Sequence, residues 1–337
     1  YVYRICLCYC KLNRGFIICI PGSKDQIWER SSMSKKIFGF FNKQKQFEKE
    51  VLENNMQYSS FYGDSFKQLK KNKIAMFCAG VIIVLILIAI FAPLIAPYDP
   101  TYQDYAAVLA EPSMAHPFGT DEYGRDILSR IIYGSRVSIS IGIVAQIVAS
   151  LVGVTLGSIA GYYGGKIDSV ISRIMEIFQA FPDLIFAMAI MTFMGKGVVN
   201  LFIALGLLTW VRTARMIRGS VMQLKEKEYI EASRASGATT YWIIMKGLIP
   251  NCLSTIIVLV TLGIPNAIMY EASLSFLGIG IVPPTPSWGN MISAAQTFIN
   301  YRPLYSIMPG VAIMITVIAF NIFGDGLRDA LDPKLKN

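Results

Sequence analysis

Of 337 residues, 54% are hydrophobic and only 16% are charged, too few charged side chains to clothe a soluble domain of this size. The net charge of +9 raises the question of nucleic acid, but most of the excess falls in the N-terminal fifth of the chain, and no basic stripe is interleaved with stacking aromatics. A cationic tail beside an anionic leaflet accounts for it, and the composition leaves an integral membrane protein as the class.

In chain order, residues 1–32 come first and start with Tyr1; Met33-Ser34-Lys35-Lys36 has the form of a bacterial start. The segment ahead of Met33 is therefore expected to be upstream sequence without function. Lys11 and Arg14 interrupt its apolar run, so it neither spans nor forms a signal peptide. Cys6, Cys8, Cys10 and Cys19 cluster there, while Cys78 and Cys252 fall in or beside apolar runs, and neither a disulfide framework nor zinc-finger spacing results.

A hydrocarbon core about 30 Å thick takes roughly 20 apolar residues in helical form. Six stretches supply that length: 74–93, 137–162, 177–194, 198–216, 248–270 and 304–323. Lipid offers the backbone no hydrogen bonds and the alternation of a membrane β-barrel is absent, so the expected fold is all-α with about six transmembrane helices. The divisions are a cytoplasmic tail at 1–73, a first span with an outward loop at 74–136, a five-helix core at 137–325 and a cytoplasmic tail at 326–337.

Positive residues in short loops stay in the cytoplasm. Lys67, Lys70, Lys71 and Lys73 precede the first span, Lys166 and Arg173 lie between the second and third, Arg212 to Lys246 supply seven cations between the fourth and fifth, and Arg328, Lys334 and Lys336 follow the sixth. With six spans these lie on one side, which places both termini in the cytoplasm. The loop at 96–136 then faces outward, as does 278–302. There Pro283, Pro284 and Pro286 prevent a regular helix and Trp288 suits the membrane interface, which describes a rigid connector anchored by one aromatic. Gly153, Gly157, Gly161 and Gly164 allow close approach of a neighbouring helix, in this chain or in a sister subunit.

The cytoplasmic segment 217–247 has the local chemistry of two short helices and a corner. Good helix formers run from Lys225 to Ser236, Gly237 can take the left-handed conformation that closes a helix, and Thr239 or Thr240 can cap the next. A short helix fixed between two spans is either a lever gripped by a motor or a surface helix resting on headgroups.

Glu231-Ala232-Ser233, Gly237 six residues after the Glu and Pro250 thirteen after the Gly resemble the EAA loop of bacterial ABC importer permeases. Ser233 replaces the second Ala, Gly247 stands where Ile is usual, and Ile249 replaces Leu. A second Glu-Ala-Ser at Glu271 lacks the following Gly. His116-Pro117-Phe118-Gly119-Thr120-Asp121, Gly124-Arg125-Asp126 and Ser129-Arg130 are similar to the signature before the second span in the C-type permeases of the dipeptide, oligopeptide and nickel importers. Leu274-Ser275-Phe276-Leu277-Gly278 and Pro283 to Asn290 are similar to their signature after the fifth.

This resemblance, over about 74–336, implies a type I ABC importer permease in the bacterial inner membrane. The implied assembly has a homologous second permease, two cytoplasmic ATPases and an extracellular substrate-binding protein, with ATP and Mg bound by the ATPases and no cofactor or metal in this chain. It also implies that Glu231, Ala232, Ser233, Gly237, Ala238 and Pro250 form the ATPase coupling site. The cargo it implies is a di- or oligopeptide, with nickel or another small solute as the alternative.

Consistent with this, Gly164-Gly165-Lys166-Ile167 lacks the leading Gly and the hydroxyl of a P-loop, so the chain is expected to be non-catalytic and to draw its power from a partner. Ionised groups within spans are costly and mark candidate pathway residues. Asp183, after Pro182, and Glu271 are the two, each read either as contact with a peptide amino terminus or gate, or as a packing hydrogen bond; Glu176 is expected to pair with Arg173 one turn earlier. A secondary transporter would favour several intramembrane carboxylates and inverted repeats. A membrane-embedded enzyme would need a nucleophile with its base, and the single histidine, His116, sits in an outward loop where a turn-forming role is expected.

Overall fold

Apolar runs that cannot bond to solvent close their backbone hydrogen bonds internally, and in the computed structural model, which describes residues 61–331, they do so as helices. The order is α1 (Phe61–Lys71), α2 (Lys73–Ile90), α3 (Ile127–Tyr163), α4 (Gly165–Gln179), α5 (Asp183–Met194), α6 (Val198–Leu224), α7 (Glu228–Ala235), α8 (Leu253–Phe276), α9 (Trp288–Ala295) and α10 (Pro303–Leu331). Among the described residues there is no strand, only an isolated bridge between Thr120 and Asp126. The reading of 1–32, the four leading cysteines, and Lys334 and Lys336 lie outside the described residues.

Five helical paths are long and apolar enough to cross a membrane: Lys73–Ile90, Ile127–Tyr163, Val198–Leu224, Thr240–Phe276 and Pro303–Leu331. The apolar run at 177–194 is broken at Pro182, as that proline requires. Pro182 has no N–H to donate and keeps Phe181 out of helical geometry, so α4 and α5 meet at 90°. With 12 residues, α5 rises about 18 Å, and only α4 and α5 taken together have the length and apolar composition of a sixth span.

The helix α3 begins ten residues before the apolar run at Val137, because Asp126 caps it: its carboxylate accepts from the Ser129 backbone at 2.8 Å and hydroxyl at 2.7 Å. The outward loop is therefore shorter than the 96–136 expected. Its signature residues fold it onto the helix ends. Asp121 is fully buried and accepts from Arg125 Nε at 2.6 Å and from the backbones of Tyr123 and Arg125. Arg130 donates to the Pro100 carbonyl at 3.0 Å, His116 Nδ1 lies 3.0 Å from Asp126 Oδ1, and the Tyr305 hydroxyl on α10 donates to Glu122.

The most extensive helix pair is α3 with α6. A Cβ on Gly153, Gly157 or Gly161 would lie 2.5 to 2.7 Å from atoms of Thr213, Ala214 or Arg218, so these glycines seat α6 of the same chain. Gly164 belongs to a different device: its φ of +65° turns the corner into α4.

The connector after α8 departs from expectation in two ways. The helix α9 starts directly behind the prolines, because Ser287 and Asn290 form a reciprocal capping box. Trp288 is 1% exposed and is packed inside the protein instead of facing lipid; its Nε1 donates to the Ile131 carbonyl at 3.1 Å and its ring lies over Gly134.

Candidate coupling segment and translocation cavity

Between α6 and α8 the chain makes one exposed projection. The helix α7 closes as its composition suggests: Ser236 N–H donates to Ala232 O, Ala238 N–H to Ser233 O at 3.1 Å, and Gly237 takes a φ of +80°. Thr239 then caps the next turn, its hydroxyl accepting from Trp242 N at 3.3 Å. On the other side of the corner the helical path widens by one residue, with Ile249 N–H donating to Ile244 O at 2.9 Å, and Pro250 follows where no N–H is available.

One buried apolar side chain of α7 packs this projection onto the bundle. Ile230 is 1% exposed and packs among Ile217, Val221, Ile243, Leu248 and Cys252. The departure at Gly247 becomes intelligible here, since a Cβ on it would lie 2.9 Å from Ile230 Cδ1. The Tyr229 hydroxyl donates to the Gly247 carbonyl at 3.4 Å, and burial pushes its phenol up from the ordinary value, which keeps it a donor. Glu231, Ala232, Gly237 and Pro250 remain exposed, with Ser233 and Ala238 half-buried.

Three cations that the sequence reading counted only as topology signals tie this segment to the α3–α4 corner. Arg218 makes a two-pronged ion pair with Asp168, its Nη2 2.6 Å from Oδ2; Lys225 Nζ donates to the Gly161 carbonyl at 3.1 Å; the Arg234 guanidinium lies 5.8 Å from the Tyr162 ring centroid. The available signal was Asp168 itself, the lone acid of 137–175.

The two intramembrane carboxylates have opposite surroundings. Glu271 is fully buried, with Ser138 of α3 and Ser275 of its own helix donating at 2.9 and 2.8 Å. Asp183, the first residue of α5, lines a cavity of about 280 Å³ with Gln146, Arg212, Asn266 and Tyr270, and accepts a 2.6 Å hydrogen bond from the Tyr270 hydroxyl. Glu176 pairs with Arg173 at 2.8 Å, as expected.

Residues 153–337 match the family described as the binding-protein-dependent transport system inner membrane component, and 60–112 match the N-terminal transmembrane domain of oligopeptide transport permease C. The dipeptide transport system permease DppC of Alkalihalophilus pseudofirmus is 45% identical over 81% of this chain and 90% of its own length. The oligopeptide permease OppC of Bacillus subtilis is 42% identical over 82% and 91%, and the glutathione permease GsiD of Pectobacterium atrosepticum 41% over 81% and 91%.

The chain belongs to the binding-protein-dependent transport permeases.

The fold agrees. A solved structure of the MetNI methionine ABC transporter, inward facing, superposes with a TM-score of 0.50 at 21% identity, covering 61% of this permease and 98% of that chain. The permease is thus a multi-pass protein of the plasma membrane. Within its fold, the residues of the His116 to Arg130 signature form hydrogen-bonded scaffold, while the Glu231 to Gly237 projection is largely exposed and Asp183 lines a cavity.

Proposed function

We propose that this permease forms, with a homologous second permease, the membrane pathway of an ABC importer for di- or oligopeptides. In this reading it catalyses nothing itself; two cytoplasmic ATPases supply the work and an extracellular binding protein delivers the cargo. The relatives named for dipeptides, oligopeptides and glutathione share a peptide as cargo, and this supports the substrate class.

The coupling role of Glu231, Ala232, Ser233, Gly237, Ala238 and Pro250 rests on a single observation. A short helix with accessible polar groups is anchored at one end by the buried Ile230 and joined at both ends to membrane spans. A motor that displaces α7 therefore tilts α6 and α8 with it. Both chain termini lie on the same side as α7, in the cytoplasm, in keeping with the basic loops.

Co-purification with the ATPase subunits tests the assignment. Glu231→Lys and Gly237→Pro are expected to lower ATPase recovery about tenfold or more, the size of a lost interface anchor, while membrane insertion persists. Normal binding and transport by both variants would refute it.

A further inference from the structure

The Asp183 cavity contains two charges that do not neutralise each other. Among the described residues Asp183 bonds only to the Tyr270 hydroxyl, through Oδ2, which leaves Oδ1 without a partner. Arg212, from α6, lines the same cavity and makes no hydrogen bond or ion pair among the described residues, although its charge acts on the Tyr270 hydroxyl. Both side chains are exposed at the cavity surface, where a ligand can reach them. The Asp168–Arg218 pair shows an acid and a base of this chain neutralising each other elsewhere; among the described residues Asp183 and Arg212 make no such pair.

Neutral polar groups share the cavity wall with apolar side chains such as Phe178 and Leu259. Gln146 and Asn266 spend their amide nitrogens on Ser150 Oγ and the Leu262 carbonyl, and their amide oxygens remain as acceptors for an N–H. An anion, a cation and amide acceptors in one cavity match a molecule with an ammonium, a carboxylate and a peptide bond between them. Ligand pockets for larger organic molecules run from about 300 Å³ upward, so 280 Å³ suits one or two residues.

We infer that this cavity is a transient way-station for zwitterionic peptide, Asp183 receiving the terminal ammonium and Arg212 the terminal carboxylate. The inference rests on the peptide reading above and names the residues that would carry the cargo past mid-membrane. Tyr270 holds Asp183 in place until the ammonium takes over the free oxygen.

The complete transporter, with its second permease, ATPases and binding protein in liposomes, is to be assayed for radiolabelled L-alanyl-L-alanine imported per ATP hydrolysed. Asp183→Asn and Arg212→Gln are each expected to lower that ratio about tenfold, the worth of one charge-assisted hydrogen bond, and Asp183→Glu and Arg212→Lys to recover most of it. Arg212 makes no hydrogen bond or ion pair among the described residues, so R212Q carries the test should D183N fail to assemble. An unchanged ratio in the neutral variants, or an equal loss in the conservative ones, overturns the inference and leaves the peptide reading intact. A wild-type complex that hydrolyses ATP with its binding protein yet imports no dialanine overturns the peptide reading, and this inference with it.

Discussion

Gly247 carries the main departure from the coupling pattern, and its neighbour explains it. The corner is held by Ile230, whose Cδ1 occupies the volume that a side chain at 247 would need. Gly247→Ile, which restores the residue usual at that point, should therefore overpack the corner by about 1–3 kcal/mol. The expected readout is a lower thermal midpoint of the purified permease, and a second substitution, Ile230→Ala, should recover part of it; a neutral or stabilising G247I would show that the corner has slack. Sequence pattern identified the position but not its partner, because 230 and 247 meet only when the chain turns at Gly237.

The same distinction separates the two carboxylates. Both looked alike as single acids in apolar runs. Ser138, 133 positions before Glu271, is brought across from α3 only by helix packing, and it converts Glu271 into a satisfied internal group. Asp183 escapes that fate because it begins a helix at a break and faces a cavity.

Among the elements, the pairing of α3 and α6 and the 90° break between α4 and α5 do most to shape the bundle. The small residues of α3 were legible as a stripe that admits a close neighbour, but spacing cannot say which helix arrives. In the fold it is α6, whose Ala214 carbonyl would lie 2.5 Å from a Cβ at position 157. Gly157→Leu is expected to force the helices apart at a cost of about 3 kcal/mol or more, seen as loss of the trypsin-resistant bundle. Gly80→Leu on α2, where nothing lies within 4 Å, should stay within about 1 kcal/mol. Equal effects of the two would contradict the packing role. The cations Arg218, Lys225 and Arg234 then bind the α6–α7 end to the α3–α4 corner, so displacement of α7 reaches the broken span directly.

Within residues 65–331 the chain combines membrane-length apolar helices, a hydrogen-bonded cap at 96–126 and the α7 projection. The coupling proposal requires the cap and the projection to lie on opposite sides of the membrane. In a cysteine-free background, Met114→Cys, fully exposed in the cap, should react with an impermeant maleimide in intact cells, and Gly237→Cys only after permeabilisation. Labelling of position 237 from outside would end the coupling proposal.

Composition and apolar run length determined by themselves that this is a helical membrane protein, since a bilayer leaves the backbone no other way to satisfy its hydrogen bonds. The local chemistry of Gly237, Thr239 and Pro182 likewise determined where helices stop, because caps and prolines act within a few residues. What only the tertiary structure decided were pairings across long stretches of chain: Gly157 with Ala214, Arg218 with Asp168, Glu271 with Ser138, and Asp183 with Tyr270. Those depend on which helices lie side by side, and that order is set by the simultaneous packing of all of them, a property no single segment contains.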